Sequence, residues 1–245
     1  MCMQPSAPFV SVITPVYNGE KYLAECIESV LSQTYANWDY TIVNNCSTDK
    51  TLEIAESYRK TDRRIKVVNN DRFVGVIENH NIAFRNISSS SKYCKAVSAD
   101  DWLYPECIEK LVRLAESNPS VGIAQGYVTT GGEVRSPGLP LTSAVFDGRQ
   151  IGRLYLLGKL DFYGLPSSHL YRSSFVRSVD AFYPGSRLAP DSIAPDAAAC
   201  LNCLQHCDFG VEHQILAFQR IHDESVTARV RALASDLLDL SLIHI

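Results

Sequence analysis

The 245-residue sequence has no run of about 18 consecutive apolar residues, the length that a membrane-spanning helix needs. It has no excess of basic residues either: 23 Lys and Arg against 27 Asp and Glu give a net charge of −4. This balance argues against a nucleic-acid partner bound through a basic face. The N-terminus lacks the basic start, apolar run and cleavage site of a signal peptide, so we expect a cytoplasmic protein.

Hydrophobic residues make up 46% of the chain, which is typical of a globular protein with a buried core. Without an export signal, the eight cysteines are expected to be reduced thiols. One cluster of potential zinc ligands comprises Cys200, Cys203, His206 and Cys207. All four lie on one short predicted helix, with no second cluster to complete a tetrahedron, so we expect these cysteines to pack in the core.

Strand and helix patterns alternate through the first half of the chain. Apolar, β-branched runs predict strands at residues 9–16, 40–43, 65–68, 93–97 and 121–128. Amphipathic spacing predicts a helix after each of the first four strands. This alternation predicts an α/β fold with a mainly parallel sheet flanked by helices, and ligands bound at the carboxyl ends of the strands.

From residue 129 the alternation breaks. Residues 129–145 are rich in glycine and proline and are predicted to form a long loop, a lid or acceptor loop. Two helices, at 147–158 and 196–207, and a late strand at 210–221 are predicted beyond it.

Two groups of polar residues follow predicted strands. Asp100 and Asp101 come directly after the fourth strand, and a divalent cation that holds a diphosphate would neutralise their repulsion. The alternative is that these acids cap the following helix. Residues 43–49 (VNNCSTD) follow the second strand; they are placed to bind a nucleoside, or else form a turn and a helix cap.

Four segments, in this order and spacing, resemble family 2 glycosyltransferases: SVITPVYNGEKYLAECIESVLSQTY, NNCSTDKT, Gly75 with Asn81, and SADDWLYPECIEKL. The resemblance is strong over residues 9–128 and loose over 160–227. It implies the GT-A fold, a Rossmann-like α/β fold with a mainly parallel central sheet, an acceptor-side α/β segment and a C-terminal helix.

The resemblance implies a single domain over residues 1–226. Residues 9–128 would be the nucleotide-sugar-binding half, 129–226 the acceptor-binding half, and 227–245 a helical tail. The implied activity is that of an inverting, metal-dependent hexosyltransferase using Mn²⁺ or Mg²⁺. It would move a sugar from a nucleotide-diphosphate sugar, with UDP expected, to a carbohydrate or lipid-linked acceptor in polysaccharide or glycoconjugate synthesis, such as that of cell wall or capsule. Oligomeric state and a peripheral association with the inner face of the membrane stay open.

The resemblance also assigns the donor site. Thr14, Pro15 and Tyr17 would edge the base and ribose pocket. Asn44 stands where the family usually has an Asp that reads the base. An Asn carbonyl accepts the same N–H, but its amide also donates, so the identity of the base is open.

The metal and phosphate assignments involve later residues. Asp100 would lie near the ribose, and Asp101 would be the main metal ligand, with His222 of an Arg-x-His-x-x-Ser pattern completing the metal shell. The family's Asp two positions before Asp100 is Ser98 here. His80 replaces a frequent Arg beside the donor, and a buried histidine without a ligand is the alternative.

The candidate catalytic base is Asp196, which opens a late helix. An inverting transfer needs a carboxylate that takes the acceptor proton. Asp191 is the rival, and an N-cap role for Asp196 is the alternative interpretation.

Two other functions are alternatives for the whole protein. The first is a sugar nucleotidyltransferase, which the sequence of the loop after the first strand does not support. The second is a catalytically silent GT-A module, which the Asn44-Asn45 pair favours.

Overall fold

The computed structural model describes residues 7–162, 166–185 and 195–222. The predicted helical tail at 227–245, the domain boundary at 226 and the alternative base Asp191 lie outside the described residues. The division into two halves stays a prediction.

The described residues form ten strands and seven helices, all but two of which lie before residue 178. In chain order they are β1 Val10–Val16, α1 Leu23–Leu31, β2 Trp38–Asn44, α2 Thr51–Thr61, β3 Ile65–Asn69, α3 Val76–Arg85, β4 Tyr93–Ala96, β5 Trp102–Leu103, α4 Cys107–Ser117, β6 Val121–Thr130, β7 Glu133–Arg135, β8 Val145–Phe146, α5 Gly148–Leu156, β9 His169–Arg172, α6 Ser173–Arg177, α7 Pro195–Leu204 and β10 Asp208–Gln219.

The strands form one sheet in the order β3-β2-β1-β4-β9-β6-β10-β5, with β7 beside β6 and β8 beside β10. The longer strands pair in parallel: β1 with β2 and β4, β2 with β3, and β6 with β10. The shorter strands β5, β7, β8 and β9 pair antiparallel. The predicted α/β fold with a mainly parallel central sheet is confirmed.

Alternation along β1 divides the core into two layers. Every residue of Val10–Val16 is buried, with Val12 facing the layer of α1 and α4, and Ile13 facing the layer of α3 and α7. Successive side chains of a strand point to opposite faces, so a strand covered on both sides is apolar throughout. Cys200 and Cys203 are buried in the second layer, as expected for core cysteines.

The second half contains more strand than the sequence predicted. The long loop expected over 129–145 includes β7 and β8, and β5, β9 and α6 were not predicted. These elements have two to five residues, too few to show a hydrophobic period. The predicted start of α5 is confirmed, because the Asp147 carboxylate caps it by accepting from the Gln150 N–H at 2.8 Å.

Candidate functional site

One edge of the sheet collects the carboxyl ends of the parallel strands. Asn44 ends β2, and Asp100 and Asp101 follow β4. β10 runs in the same direction, so Arg220 and His222, which follow it, arrive at this edge too. The polar residues that the sequence singled out therefore lie at one edge of the sheet, where α/β folds form the crevice that binds ligands.

Asp100 and His222 form a close pair at this edge. The Nε2 atom of His222 lies 2.9 Å from Oδ2 of Asp100, and both side chains are partly exposed. Arg220 supports the pair: its Nε donates to the Asp100 carbonyl at 3.0 Å, and its guanidinium forms an ion pair with Glu25. The guanidinium also lies 4.3 Å from the centre of the Tyr22 ring, a cation–π contact.

Asp101 is turned into the protein. It is 3% exposed; its Oδ1 accepts from the Arg220 backbone N–H at 3.0 Å, and its Oδ2 accepts from the Ser167 hydroxyl at 2.6 Å. Burial, with the charge of Asp100 adding to it, raises the pKa of Asp101 to about 7. Of the two acids, Asp100 has the more exposed carboxylate, and the assignment of Asp101 as the main metal ligand stays a prediction.

A buried lysine stands behind Asp101. Lys95 is fully buried, and its ammonium donates to the carbonyls of Ser167 and His169, the latter at 3.1 Å. Burial lowers the pKa of Lys95. The Ser167 hydroxyl also accepts from the Ser98 N–H at 3.0 Å, so Lys95 holds the segment that brings Ser167 to Asp101. The sequence did not point to Lys95 or Ser167, because their partners lie 66 to 74 residues away.

An amide network occupies the end of β2. The Asn44 amino group donates to Oδ1 of Asn69 at 2.5 Å, and its Oδ1 accepts from the Ser47 N–H at 3.3 Å. Asn45 accepts from the Asn70 side chain at 3.0 Å. Both members of the Asn44-Asn45 pair are almost fully buried, and they tie the ends of β2 and β3 together.

Two exposed aromatic rings meet above this network. Tyr17, after β1, and Phe73, after β3, are 46% and 59% exposed, with ring centres 4.8 Å apart. Because β2 lies between β1 and β3, the two rings bridge the loops on either side of the Asn44 position.

Thr14 and Pro15 lie deeper than predicted. Thr14 is fully buried, and its hydroxyl donates to the Val97 carbonyl at 2.9 Å; Pro15 is also buried. Thr14 has no exposed surface, and the expectation that it edges the pocket stays a prediction. Of the three residues assigned there, Tyr17 presents the accessible surface.

His80 and Asp196 are neighbours on α3 and α7. The His80 ring stacks on Tyr183 with centres 5.3 Å apart, and burial lowers the pKa of His80. Burial raises the pKa of Asp196, and the nearby His80 acts in the opposite direction. The Asp196 carboxylate accepts from the Ala197 N–H at 2.8 Å, so it contacts the start of α7 while facing His80.

A cavity of about 510 Å³ lies between the loop after β7 and the end of α5. It is lined by residues 136–138 and 158–161 together with Tyr155, whose ring stacks on Phe162 with centres 4.7 Å apart. The negative charge of Asp161, on the cavity wall, contributes to the raised pKa of Asp196. Asp161 thus links the cavity electrostatically to the candidate base.

Within the described ranges, no group of three or more His, Cys, Asp or Glu side chains is arranged to hold a metal ion. The Asp100–His222 pair offers two potential ligands, and the buried Nδ1 of His222 has no hydrogen-bond partner among the described residues. Mg²⁺ and its relatives are commonly held by one or two protein ligands together with phosphate oxygens and water. The donor set present thus fits a cation that arrives with a diphosphate.

Comparison with known protein families matches residues 11–180 to Glycosyl transferase family 2. The chain belongs to this family. An uncharacterised glycosyltransferase of Haemophilus influenzae is 38% identical over 123 residues, which cover 50% of this chain and 38% of the relative. Glycosyltransferase GlyA of Streptococcus pneumoniae is 32% identical over 119 residues, 48% of this chain and 17% of GlyA. The chain thus spans less than half the length of these curated relatives.

Solved structures share the fold of this family 2 chain. Residues 1–349 of Staphylococcus aureus TarS, in complex with UDP-GlcNAc, superpose with a TM-score of 0.72 at 20% identity, over 88% of this chain and 59% of that one. The mannosyltransferase PcManGT of Pyrobaculum calidifontis, in complex with GDP-Man and Mn²⁺, superposes with a TM-score of 0.65 at 17% identity, over 91% and 60%. Both likenesses concern the fold, and the expected GT-A architecture is confirmed. Among the helices described, none is long and apolar enough to cross a membrane.

Proposed function

We propose that this family 2 protein is an inverting, metal-dependent glycosyltransferase that transfers a sugar from a UDP-sugar to an acceptor hydroxyl. The observation that carries the proposal is the arrangement of the crevice. Asp100 and His222 pair at 2.9 Å at the edge of the sheet where β2 also ends, and Asp196 interacts electrostatically with His80 and with Asp161 of the cavity wall. In this proposal the donor binds at the edge with Asp100 and His222, and the acceptor binds on the side with Asp196 and Asp161.

Asp100 and His222 are the residues proposed to hold Mn²⁺ or Mg²⁺. A bound divalent cation would neutralise the diphosphate and stabilise the charge that develops on it as it leaves. Asp101 supports this site from behind, because both of its oxygens already accept hydrogen bonds from the protein. A TarS structure contains UDP-GlcNAc and the PcManGT structure contains GDP-Man and Mn²⁺, which supports the choice of a nucleotide-sugar donor and a metal.

Asp196 is proposed as the general base. Its carboxylate accepts the proton of the acceptor hydroxyl while that oxygen bonds to the anomeric carbon. The bond from this carbon to the diphosphate oxygen breaks on the opposite face, and the nucleoside diphosphate leaves. The raised pKa of Asp196 increases its affinity for the proton, as a general base requires. Asp191 remains the alternative if Asp196 proves dispensable.

The acceptor is proposed to enter through the cavity lined by Tyr155 and residues 158–161. An aromatic ring together with carboxylate and ammonium groups suits a sugar hydroxyl, free or carried on a lipid. A cytoplasmic location, with or without peripheral attachment to a membrane, stays part of this proposal.

A thermal-shift panel tests the donor site. A ligand that binds the folded state raises the melting temperature, so UDP with Mn²⁺ is expected to stabilise the protein more than UDP with a chelator. If no nucleoside diphosphate raises the melting temperature, the proposal is wrong.

NMR of the product tests the stereochemistry of the transfer. The anomeric configuration is expected to be opposite to that of the donor, and a retained configuration would exclude a single displacement. A protein that binds UDP with Mn²⁺ but releases no product with any acceptor or water would support the silent module, which the buried Asn44-Asn45 amides favour.

A further inference from the structure

The outer face of α5 combines exposed leucines with basic side chains. Leu156 and Leu157, at the end of the helix, are 73% and 57% exposed. Arg149 and Arg153 are also exposed on this helix, and Lys159 is exposed just beyond it. Adjacent leucines in contact with water gain free energy when another molecule covers them, so a surface of this kind is typical of an interaction site.

The helical period places these side chains on one face. With about 3.6 residues per turn, positions 149, 153 and 156 line up along the helix, and position 157 lies beside them. Ile151, on the opposite face, is 1% exposed and belongs to the core layer of α3 and α7. α5 therefore has one side buried in the core and one side on which leucines and arginines occur together.

A tight turn fixes the exposed end of the helix. Gly158 has a φ of +64°, and its N–H donates to the Tyr155 carbonyl at 2.9 Å. The Lys159 N–H donates to the Leu154 carbonyl, also at 2.9 Å. These two bonds form a Schellman motif, in which a glycine in the left-handed conformation ends the helix. The backbone that carries the two leucines is thus held in place, with their side chains outside the core.

The charge of this segment is opposite to that of the whole chain. Residues 148–160 contain three basic residues and no acidic one, whereas the chain has a net charge of −4. Of the acids at either end, Asp147 caps α5 and Asp161 lies on the cavity wall. Arg149 donates to the Gln205 carbonyl at 3.2 Å, and among the described residues none of the three basic side chains forms an ion pair. This face is therefore complementary to an anionic surface, which would repel the net charge of the rest of the chain and so orient the protein.

We propose that the outer face of α5 is a docking surface for an anionic lipid membrane. The leucines enter the boundary between headgroups and acyl chains, and the basic side chains contact the lipid phosphates. A second copy of the chain would bring the same basic side chains against each other, so the charge favours a membrane over self-association. Tyr155 and Lys159 line the cavity, so docking holds this cavity next to the headgroups. Docking does not rest on the proposed function, because it requires neither a nucleotide nor a sugar.

The experiment is co-sedimentation of the protein with vesicles of equal parts phosphatidylglycerol and phosphatidylcholine, and with vesicles of phosphatidylcholine alone. The wild type is expected to bind the anionic vesicles and not the neutral ones, and added salt is expected to weaken the binding. Arg149→Glu with Arg153→Glu is expected to lower the partition constant about tenfold or more, since each basic residue near an anionic surface contributes to binding. Leu156→Ser with Leu157→Ser is expected to lower it about tenfold as well, because the apolar contact is lost.

The matched control is Lys60→Glu with Arg63→Glu. Both residues are exposed and lie at the end of α2 and just before β3, at the opposite end of the sheet from β10, on which α5 packs. The control changes the net charge by the same amount as the arginine pair. Its partition constant is expected to stay within about twofold of the wild type, because salt confines the attraction to charges near the lipid.

A wild type that does not bind anionic vesicles would overturn the inference, as would binding that neither the arginine nor the leucine substitutions weaken. An equal loss in the control would also overturn it, because net charge rather than α5 would then govern binding. Analytical ultracentrifugation without lipid tests for a second copy: a dimer that the leucine substitutions dissociate would assign this face to self-association instead. Melting temperatures without lipid establish that each variant is folded. Failure to bind UDP with Mn²⁺ would refute the proposed function and leave the docking surface standing.

Discussion

The two sides of the crevice are held by different chemistry. Over β2 and β3 the side chains are neutral amides, with Asn70 donating to both Asn45 and Asn79 at 3.0 Å. Over β4 and β10 they are acidic and basic groups, with Asp100 hydrogen-bonded to His222 and Arg220 paired with Glu25. Amides keep their hydrogen bonds at any ordinary pH and salt concentration, whereas charged groups respond to both. The neutral side suits the nucleoside, and the charged side suits a diphosphate with its cation.

The largest expected effect concerns Asp196, which belongs to neither side of the crevice and is the proposed base for the acceptor. Asp196→Asn is expected to lower kcat about 100-fold or more, the usual scale for loss of a general base, while the dissociation constant of UDP stays near that of the wild type. Steady-state kinetics and titration calorimetry measure the two quantities. A fully active variant would move the base elsewhere, with Asp191 next in line.

The pH profile sharpens this prediction. A protonated carboxyl group cannot accept a proton, so kcat of the wild type is expected to fall as the pH falls through the raised pKa of Asp196. The residual activity of Asp196→Asn is expected to lack this limb. Asp161→Asn is a matched control, because removing the Asp161 charge lowers the pKa of Asp196 and moves the acid limb to lower pH. If the acid limb of the kcat profile stays at the same pH in Asp161→Asn, a group other than Asp196 titrates there.

The next effect compares the two acids on the charged side. Asp100→Asn is expected to weaken UDP binding in Mn²⁺ about tenfold or more, and to leave binding in a chelator unchanged, because the Asp100 carboxylate faces outward. Asp101→Asn is expected to lose less of the metal-dependent affinity, since its oxygens are engaged by Ser167 and Arg220. The reverse order would restore Asp101 as the main metal ligand.

A smaller effect is expected from the lysine behind the acids. Lys95→Met removes the donor for the Ser167 and His169 carbonyls and is expected to lower the free energy of unfolding by about 1–3 kcal/mol, the penalty for unsatisfied buried groups. Urea denaturation measures this change. Lys60→Met, at an exposed position on α2, is expected to have no such effect. Equal stability of both variants would show that Lys95 does not hold the segment.

The smallest effect is expected on the amide side. Asn70→Ala removes two side-chain hydrogen bonds and is expected to lower the free energy of unfolding by about 1–2 kcal/mol, by the same amount at pH 6 and pH 8. Urea denaturation at the two pH values measures both quantities. A marked dependence on pH would contradict the division of the crevice into neutral and charged sides.

The sequence predicted those parts of the molecule whose signals are local. The strand at Val10–Val16 and the cap at Asp147 follow from runs and short spacings, and both were predicted correctly. Asp100, Asp101 and His222 were also found, through motifs, and the structure brings them to one edge. The roles assigned to individual site residues stay predictions.

Other features depend on distance along the chain or on direction within a strand. Lys95 looked like part of an apolar strand, and its partners, Ser167 and His169, carry no motif. Whether Thr14 is buried depends on its position in β1, because residues covered by a helix are buried and residues beyond the end of the helix are not. A strand that is buried on both faces shows no alternation in the sequence from which this position could be inferred. Short strands such as β9 form only because β4 and β6 are already in place on either side.

The position of β10 has a consequence for how the protein folds. The contacts of the acids with Arg220 and His222 join residues 119 to 122 positions apart, whereas the Asn44–Asn69 contact spans 25. Closing the longer loop has the larger entropic cost, so the charged side cannot be assembled until β10 has docked on β6. If the proposed function is right, a folding intermediate lacking β10 would keep the amide side but lack His222 as a ligand for the cation, and metal-dependent binding would report that the last strand had docked.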